Sequence, residues 1–388
     1  MNSLAQPVRC AGREFDADGT LLHDGTVAWA YLLVRARAGT PLQRWPAVLQ
    51  EAVACCAPAS PALAVVFCSD PERARRSMPA QAPCVVQAVR QPPVGHPWAM
   101  LVTLLDAPPA SSPTDGRAAF ARDGNRLAFF AATRAHAGEE DDGYRACLQQ
   151  AEDALRAGGC AFTDTVRMFT AQAHDADVEH AFAQFNRARV RFFDGRDFGR
   201  SATGGQAFPT YPANTGTLNG EPAVSLSGFA ASGPAYRRHA LQNPLQIAPT
   251  TYQQAGLTTA PPLFSRALAL ATSTRAQTFV SGNVAVIGRS VAHPGDAPAQ
   301  ARTVLANIAA LAGAANLRAH RLAATGTGLA YLVVTLRDAG DHDAVRHLVE
   351  AAHPGVPALY VHGSQALDAL RVEIEAVAVH ELGAEQAA

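Results

Sequence analysis

Two glutamates near the end of the chain, Glu373 and Glu375, have a spacing that suits acid–base chemistry. They alternate with the apolar residues Val372 and Ile374 in a run that predicts a β-strand over 370–379. Side chains two residues apart in a strand project from the same face, so the two carboxyls would lie together. Burial and a second carboxylate both raise the pKa of a carboxyl, which would keep a general acid protonated near neutral pH. The plain alternative is the solvated face of an alternating strand.

The 388-residue chain contains no lysine, and its 32 basic residues are all arginine. Schiff-base catalysis and the P-loop both need a lysine amine, so pyridoxal-phosphate enzymes, imine-forming aldolases and P-loop nucleotidases are excluded. Arginine can still bind carboxylates through two parallel hydrogen bonds. The formal net charge is −1, so we expect no nucleic-acid partner and no membrane partner. Hydrophobic residues make up 48% of the chain, which is enough for a sizeable core.

The cysteine pattern bears on metal binding and on the cellular compartment. All 7 cysteines lie in the first half of the chain, without C-x-x-C spacing and without a Cys/His spacing that suits zinc. Residues 1–9 lack the basic and apolar regions of a secretory signal, and no apolar run approaches the ~18 residues that span a bilayer. We therefore expect reduced thiols, no metal and a cytoplasmic location.

Two stretches of the chain predict the same order of elements, offset by about 150–170 residues, which is the length of one small domain. The first predicts strands over 125–131 and 165–170, and helices over 144–155 and 178–193. The second predicts strands over 278–282, 331–336 and 370–379, and helices over 304–311 and 345–349. This order indicates a mixed sheet with helices on one face. Elsewhere the patterns predict strands over 27–34 and 62–68, a helix over 46–57 and a linker over 228–262.

Several motifs within these stretches carry a resemblance to known families. They are FVSG at 279–282, NIAAL at 307–311, VEIEAVA at 372–378, FNRAR at 185–189, YPANTG at 211–216 and FSRA at 264–267. The first three are similar to the RidA/YjgF family, and two such units in one chain resemble the chorismatase family, which hydrolyses chorismate. The resemblance implies an α+β fold of two fused RidA/YjgF-like domains, each a mixed β-sheet with helices packed on one face. We expect 1–115 to be an N-terminal extension of the first domain, 116–232 the first unit and 233–388 the second.

The same resemblance implies an enzyme that cleaves the enolpyruvyl ether of chorismate to pyruvate plus a hydroxybenzoate or a dihydroxycyclohexadiene carboxylate. It selects Glu373, rather than Glu375, as the acid that protonates the methylene carbon. Substrate-binding roles are implied for Arg266, Tyr211, Thr215, Gly216, Ser281, Gly282 and Arg189. For Arg266 and Arg189 the alternative is a structural ion pair. No cofactor is expected, the partner would be chorismate or a similar dicarboxylate, and the chain would be a monomer or a homotrimer.

The chain departs from the family pattern at four places. The residues expected there are Thr-Ala-Ser, Gly-His-Glu-Ser, Thr-Gly-Ile-Gly and Cys-Arg, and the chain has NVA at 283–285, GRSV at 288–291, TGTL at 215–218 and AL at 366–367. These departures leave the ring product open. Two other functions also stay open. One is a RidA-like imine or enamine hydrolase, for which Arg371 is the available clamp arginine before the last strand. The other is a non-catalytic carboxylate-binding relative.

Overall fold

The structure is a computed structural model of the chain. It describes residues 4–56, 59–110, 113–114, 116–136, 142–173, 178–218, 223–254, 256, 258, 260–365 and 367–383. Three mixed β-sheets dominate these residues, and each has helices on one face only. We call them the N-terminal, middle and C-terminal sheets. The predicted α+β fold with one-sided helices is confirmed.

The N-terminal sheet is formed by strands within residues 6–105. Its strands are β1 (Gln6–Ala11), β2 (Phe15–His23), β3 (Ala28–Ala36), β4 (Ser60–Cys68), β5 (Val85–Arg90) and β6 (Ala99–Leu105), in the order β1-β2-β3-β6-β4-β5. Helices α1 (Trp45–Ala54) and α2 (Pro71–Arg76) cover one face. Asp70 caps α2 by accepting a hydrogen bond from the backbone N–H of Arg73 at 2.9 Å, and Pro71 suits the first turn.

The middle sheet follows in the chain. Its strands are β7 (Arg117–Arg122), β8 (Asn125–Ala135), β9 (Thr165–Gln172), then, after the hairpin β10 (Arg200–Thr203) and β11 (Gln206–Pro209), β12 (Ala213–Leu218) and β13 (Ala223–Ser232). The order is β12-β9-β13-β8-β7, with β9 and β12 parallel. Helices α3 (Asp142–Ala157) and α4 (Val178–Phe193) pack on one face, where their apolar side chains recur at helical spacing.

The C-terminal sheet repeats the strand order of the N-terminal sheet. Its strands are β14 (Arg237–Leu241), β15 (Ala267–Ala271), β16 (Arg275–Val284), then, after the hairpin β17 (Val286–Ile287) and β18 (Ser290–Val291), β19 (Ala324–Leu336), β20 (Ala358–His362) and β21 (Val372–Leu382). Their order is β14-β15-β16-β21-β19-β20. Helices α5 (Ala297–Ala312), α6 (Ala314–Ala319) and α7 (His342–Ala352) complete this part of the chain.

The N-terminal sheet is the main difference from expectation. In the described residues its strands pair with one another, whereas the sequence predicted an extension of the first domain. The sequence did not reveal that this region repeats the element order of the C-terminal sheet, because the lengths of corresponding elements differ. Helix α2, for example, has 6 residues, whereas its counterpart α7 has 11. The predicted linker over 228–262 was also wrong in part, because it contains the end of β13 and all of β14. The boundaries at 115 and 232 stay predictions.

The faces without helices meet in one central core. Trp29, Phe229 and Phe279 come from the N-terminal, middle and C-terminal sheets, and their rings are 5.6 and 5.1 Å apart in sequence order. Burial of such large rings contributes strongly to the stability of a core. The three sheets therefore pack against one another through one continuous apolar centre.

Strand β21 occupies an interior position in the C-terminal sheet, between β16 and β19. Val372 and Ile374 pack with α5 and α7, so Glu373 and Glu375 face the other way, toward the middle sheet. The alternation that the sequence showed thus places both carboxyls on the face where the sheets meet.

Candidate active site

A cavity lies where the middle sheet meets the C-terminal sheet. We call it the cleft. Its lining residues are Phe182, Asn214, Gly216, Tyr252, Thr258, Phe264, Arg266, Gly282, Val284, Val286, Leu367, Leu370 and Glu373. Most of this surface is apolar, and the ionisable groups among its described residues are one carboxyl, one guanidinium and one phenol. An apolar pocket with a few converging polar groups is the usual form of a small-molecule site.

The edge strand β12 forms one wall of the cleft by lying against the C-terminal sheet. Ala213 makes a parallel bridge with Ser265. The backbone N–H of Asn214 donates to the Ser281 hydroxyl at 2.9 Å, and that hydroxyl donates to the Ser265 carbonyl at 2.6 Å. Ser281, predicted to bind substrate, therefore connects the two sheets and is not among the lining residues.

Glu373 lies in the wall of the cleft on β21, and only 7% of its surface is exposed. It pairs with Val284 of β16 and Thr335 of β19. Burial, and then the charge of Glu375, raise the pKa of Glu373 from 4.5 to about 8. The carboxyl is therefore protonated at neutral pH, as a proton donor to a weakly basic atom requires.

Gly282 makes room for this carboxyl. A β-carbon built on Gly282 would lie 2.3 Å from Oε1 and 2.6 Å from Cδ of Glu373. The pairing of β16 with β21 is irregular between Val280 and Asn283, so the glycine sits at a local distortion of the strand. The predicted close approach at Gly282 thus involves the side chain of Glu373.

Glu375 shares the face of Glu373 but lies outside the cleft. Its carboxylate accepts a hydrogen bond from Arg167 of β9 at 2.5 Å, and only 2% of its surface is exposed. The two glutamates are thus placed differently, because Glu373 lines the cleft and Glu375 forms an ion pair between sheets. Family resemblance selected Glu373 as the acid, and that role stays a prediction.

Arg266 is the cation of the cleft, and Tyr252 holds its guanidinium in place. Nη2 donates to the Ile247 carbonyl at 2.9 Å and to the Tyr252 hydroxyl, and the guanidinium carbon lies 5.1 Å from the Tyr252 ring centre. Nε is buried without a hydrogen-bond partner among the described residues. In the described part of the chain no carboxylate is paired with Arg266, so it can bind an anionic ligand.

Arg189 lies one layer behind the cleft. Its guanidinium stacks against Phe185 at 4.6 Å and against Phe264, a lining residue, at 5.7 Å. Nη2 donates to Asn186 at 2.6 Å, whereas Nε and Nη1 have no partner among the described residues. Burial lowers the pKa of Arg189 to about 9, and Tyr211 partly opposes this shift. A role in substrate binding stays a prediction, and the expected structural salt bridge is not found in the described residues.

The predicted polar rim of 211–216 is only partly present. Gly216 lines the cleft, but Tyr211 packs on Phe193 and Phe198 at ring distances of 5.6 and 5.2 Å. The Thr215 hydroxyl is buried without a partner among the described residues and is not part of the lining. Gly216, Gly282, Arg266 and Glu373 are therefore the predicted site residues that the fold brings together.

Sequence reasoning missed several lining residues. Tyr252 lies in the stretch predicted as a linker, and Phe182 was interpreted only as part of a helix. Leu367 lines the cleft, whereas Ala366, the neighbouring departure from the family pattern, lies outside the described residues. Periodicity carries no signal for such residues, because they reach the cleft from separate segments. A Tyr within a Gly- and Pro-rich stretch was the one available hint.

Two searches of the described residues concern metals and membranes. They contain no group of three or more His, Cys, Asp or Glu side chains that could hold a metal ion. None of their helices has the length and apolar character needed to cross a membrane.

The cleft combines two chemical capabilities. A protonated carboxyl can donate a proton to a bound ligand, and the guanidinium of Arg266 can bind a negatively charged group of that ligand.

Comparisons with known proteins found similar sequences and a similar structure. No family model matches the chain. The chain is 32% identical over 179 residues to a 3-hydroxybenzoate synthase of Streptomyces hygroscopicus, covering 44% of this chain and 51% of that protein. A chorismatase of the same species is 32% identical over 174 residues, covering 43% and 48%. The chain thus matches about half the length of these curated relatives.

The structural comparison covers more of the chain. A crystal structure of chorismatase matches with a TM-score of 0.67 and 21% identity, over 91% of this chain and 99% of that one. The chain therefore has the fold of chorismatase, and its resemblance to the chorismatase family is confirmed.

Proposed function

We propose that this chain hydrolyses the enolpyruvyl ether of chorismate, with Glu373 as the proton donor. The observation that carries the proposal is a carboxyl held protonated at neutral pH in an apolar cleft that also contains Arg266. The relatives named 3-hydroxybenzoate synthase and chorismatase, and the shared fold, support chorismate as the substrate.

The reaction begins with proton transfer from Glu373 to the terminal methylene carbon of the enolpyruvyl group. A carbon atom is a poor proton acceptor, so the acid must be protonated and positioned close to it. The resulting oxocarbenium ion is captured by water, whose proton returns to the Glu373 carboxylate. The hemiketal then collapses to pyruvate and the ring alcohol. The net reaction consumes one water and leaves the enzyme unchanged.

In this proposal Arg266 binds a carboxylate of the substrate. Tyr252 and the Ile247 carbonyl fix one edge of the guanidinium, so little side-chain freedom is lost on binding. The apolar lining, with Phe182, Phe264 and Leu370, suits the hydrocarbon ring. The immediate ring product would be a dihydroxycyclohexadiene carboxylate, and loss of water from it would give a hydroxybenzoate.

The test is pyruvate release from chorismate by purified protein. The wild type should release pyruvate in proportion to enzyme, and Glu373→Gln should release none above background. Glu381→Gln is the matched control, because it makes the same change on the same strand at a partly exposed residue paired with Arg275. Release by Glu373→Gln at the wild-type rate would show that another group is the acid.

The position of Arg371 bears on the first alternative function, and a binding experiment tests the second. Arg371, the clamp expected of an imine hydrolase, is not among the lining residues of the cleft. A non-catalytic relative would release no pyruvate, yet chorismate would still raise its melting temperature, and Arg266→Ala would abolish that rise.

A further inference from the structure

Four residues with buried carboxamide side chains lie behind one wall of the cleft, and hydrogen bonds connect them. They are Asn243 and Gln246 of the segment that follows β14, Asn283 at the end of β16, and Asn307 of α5. None of them is more than 7% exposed. Burial of an amide costs free energy unless its hydrogen bonds are made. We call these residues the amide cluster, and its hydrogen bonds determine which parts of the chain it holds together.

Gln246 is the centre of the amide cluster. Its Nε2 donates to the backbone carbonyls of Val284 at 3.3 Å and Val286 at 3.1 Å. Its Oε1 accepts from Nδ2 of Asn243 at 3.0 Å and from Nδ2 of Asn283 at 3.4 Å. The hydrogen-bonding capacity of the amide is therefore fully used. Val284 and Val286 line the cleft, so Gln246 attaches its own segment to the backbone of the cleft wall.

Asn307 supports the same wall independently. Its Nδ2 donates to the carbonyls of Val284 at 3.3 Å and Val286 at 3.1 Å, which are the two groups that Gln246 also contacts. Both carbonyls therefore keep a donor when the amide of Gln246 is removed. Loss of that amide would loosen the segment that contains Gln246, whereas the end of β16 would stay bonded to α5.

The segment that contains Gln246 also holds Arg266. The carbonyl of Ile247, the next residue, accepts from Nη2 of Arg266 at 2.9 Å, and the hydroxyl of Tyr252 accepts from the same nitrogen. Two backbone hydrogen bonds with Gly288, at 3.2 and 2.8 Å, attach the segment as well. Removal of the Gln246 amide should therefore shift the guanidinium of Arg266 rather than release it.

The same contacts lead in the other direction to the proposed acid. Val284, whose carbonyl accepts a hydrogen bond from Gln246, is the strand partner of Glu373. Gln246 thus contacts the strand beside Glu373, and the residue after it contacts Arg266. A group that binds the substrate and a group that donates a proton to it must keep a fixed separation, because a displacement of about 1 Å can reduce a rate by about 100-fold.

We propose that Gln246 is a positioning residue, which fixes Arg266 where it binds the substrate carboxylate while Glu373 faces the reacting carbon. Gln246 is not among the lining residues of the cleft, so it acts through Arg266. The proposal rests on the proposed function in taking Arg266 as the group that binds the substrate.

The first experiment measures kcat and KM for pyruvate release in Gln246→Leu, which removes the amide and keeps the approximate size of the side chain. KM for chorismate should rise about 10-fold, the effect of about one hydrogen bond, with a smaller change in kcat, because Arg266 binds the carboxylate in the ground state and the transition state alike. In an Arg266→Ala background the same substitution should leave KM unchanged, because the residue through which Gln246 acts is absent. A purely structural defect would raise KM in both backgrounds.

Gln87→Leu is the matched control. Gln87 is buried and also uses both ends of its amide, since Nε2 donates to the Ser225 hydroxyl at 2.9 Å and Oε1 accepts from the Ser227 hydroxyl. These contacts join the N-terminal sheet to the middle sheet, and Gln87 does not line the cleft. Gln87→Leu should lower the urea midpoint of unfolding, yet KM should keep its wild-type value.

A second experiment does not depend on the reaction. Nε of Arg266 is buried, so the exchange of its hydrogen with water, followed by NMR in protein labelled at arginine, measures how firmly the guanidinium is held. The signal is assigned by its absence in Arg266→Lys. Exchange should be about 10-fold faster in Gln246→Leu than in the wild type, and unchanged in Gln87→Leu. If Gln246→Leu does not fold, Gln246→Asn, whose amide is one carbon shorter, should show the same changes to a smaller degree.

The outcomes separate this proposal from the proposed function. Wild-type exchange in a folded Gln246 variant overturns the role of Gln246, whether or not the chain acts on chorismate. A rise in KM that persists in the Arg266→Ala background also overturns it, because the effect then does not pass through Arg266. Faster exchange in a chain that releases no pyruvate supports the positioning of Arg266 and refutes only the proposed reaction.

Discussion

Replacement of Gly282 by alanine tests whether the position of the Glu373 carboxyl matters. The new β-carbon would lie 2.3 Å from Oε1, 2.6 Å from Cδ and 3.3 Å from Cγ of Glu373. Ordinary contacts to a β-carbon begin near 3.4 Å, so the carboxyl must move by about 1 Å. The Gly282 backbone is outside the left-handed region, so alanine brings no backbone strain there. The steric clash is therefore with the side chain of Glu373.

The expected effect is large on catalysis and small on stability. A displacement of about 1 Å at a reacting group can reduce a rate by about 100-fold, so we expect kcat/KM for pyruvate release to fall by about that factor. The cost of forcing Glu373 off its preferred rotamer is about 1 kcal/mol, which urea denaturation can measure. Pyruvate is followed by a lactate dehydrogenase assay that records NADH oxidation.

Gly328→Ala is the matched control for this change. A β-carbon there would have its nearest neighbour at 3.8 Å, on Val379, and Gly328 does not line the cleft. Its kcat/KM should equal that of the wild type. If Gly282→Ala has wild-type kcat/KM while remaining folded, the carboxyl of Glu373 does not need its present position, and the assignment of the acid fails.

Two further predictions concern charge. The folded-state pKa of Glu373 is raised from 4.5 to about 8, so this group costs the native state stability as pH rises through that interval. At pH 7 the free energy of unfolding of Glu373→Gln, measured by urea denaturation, should therefore exceed that of the wild type by about 3 kcal/mol. At pH 4 the two values should be almost equal. Equal urea midpoints at pH 7 would show that the carboxyl is not shielded from water. Arg266→Lys keeps the charge but loses the planar fork, so KM for chorismate should rise about 10- to 100-fold with a smaller change in kcat. An unchanged KM would place the substrate carboxylate elsewhere.

Local pattern predicted much of the fold correctly. The helices found as α3, α4, α5 and α7 were expected because their apolar residues recur at helical spacing, and β9, β16, β19 and β21 because of their apolar runs. The N-terminal sheet was missed as a separate sheet, since recognising it requires the pairing order of its strands. Pairing order depends on contacts between distant segments, which periodicity does not encode.

The candidate site shows the same division. The sequence placed Glu373 on the opposite face of its strand from Val372 and Ile374. It also identified Gly282 and Arg266 as candidate substrate-binding residues. It did not find Tyr252, which holds Arg266 in place from a stretch without periodic pattern. It also placed Tyr211, Thr215 and Ser281 at the ligand, whereas they are not among the lining residues of the cleft.

By itself, the sequence determined which face of the last strand carries the two glutamates, because side-chain direction in a strand follows directly from residue order. It also excluded lysine chemistry, since the residue is absent. Only the tertiary structure made the two glutamates different. Arg167, more than two hundred positions away, pairs with Glu375, while Glu373 meets an apolar cavity. The pKa of a buried carboxyl is decided by its neighbours in space, and those neighbours come together only when the sheets pack.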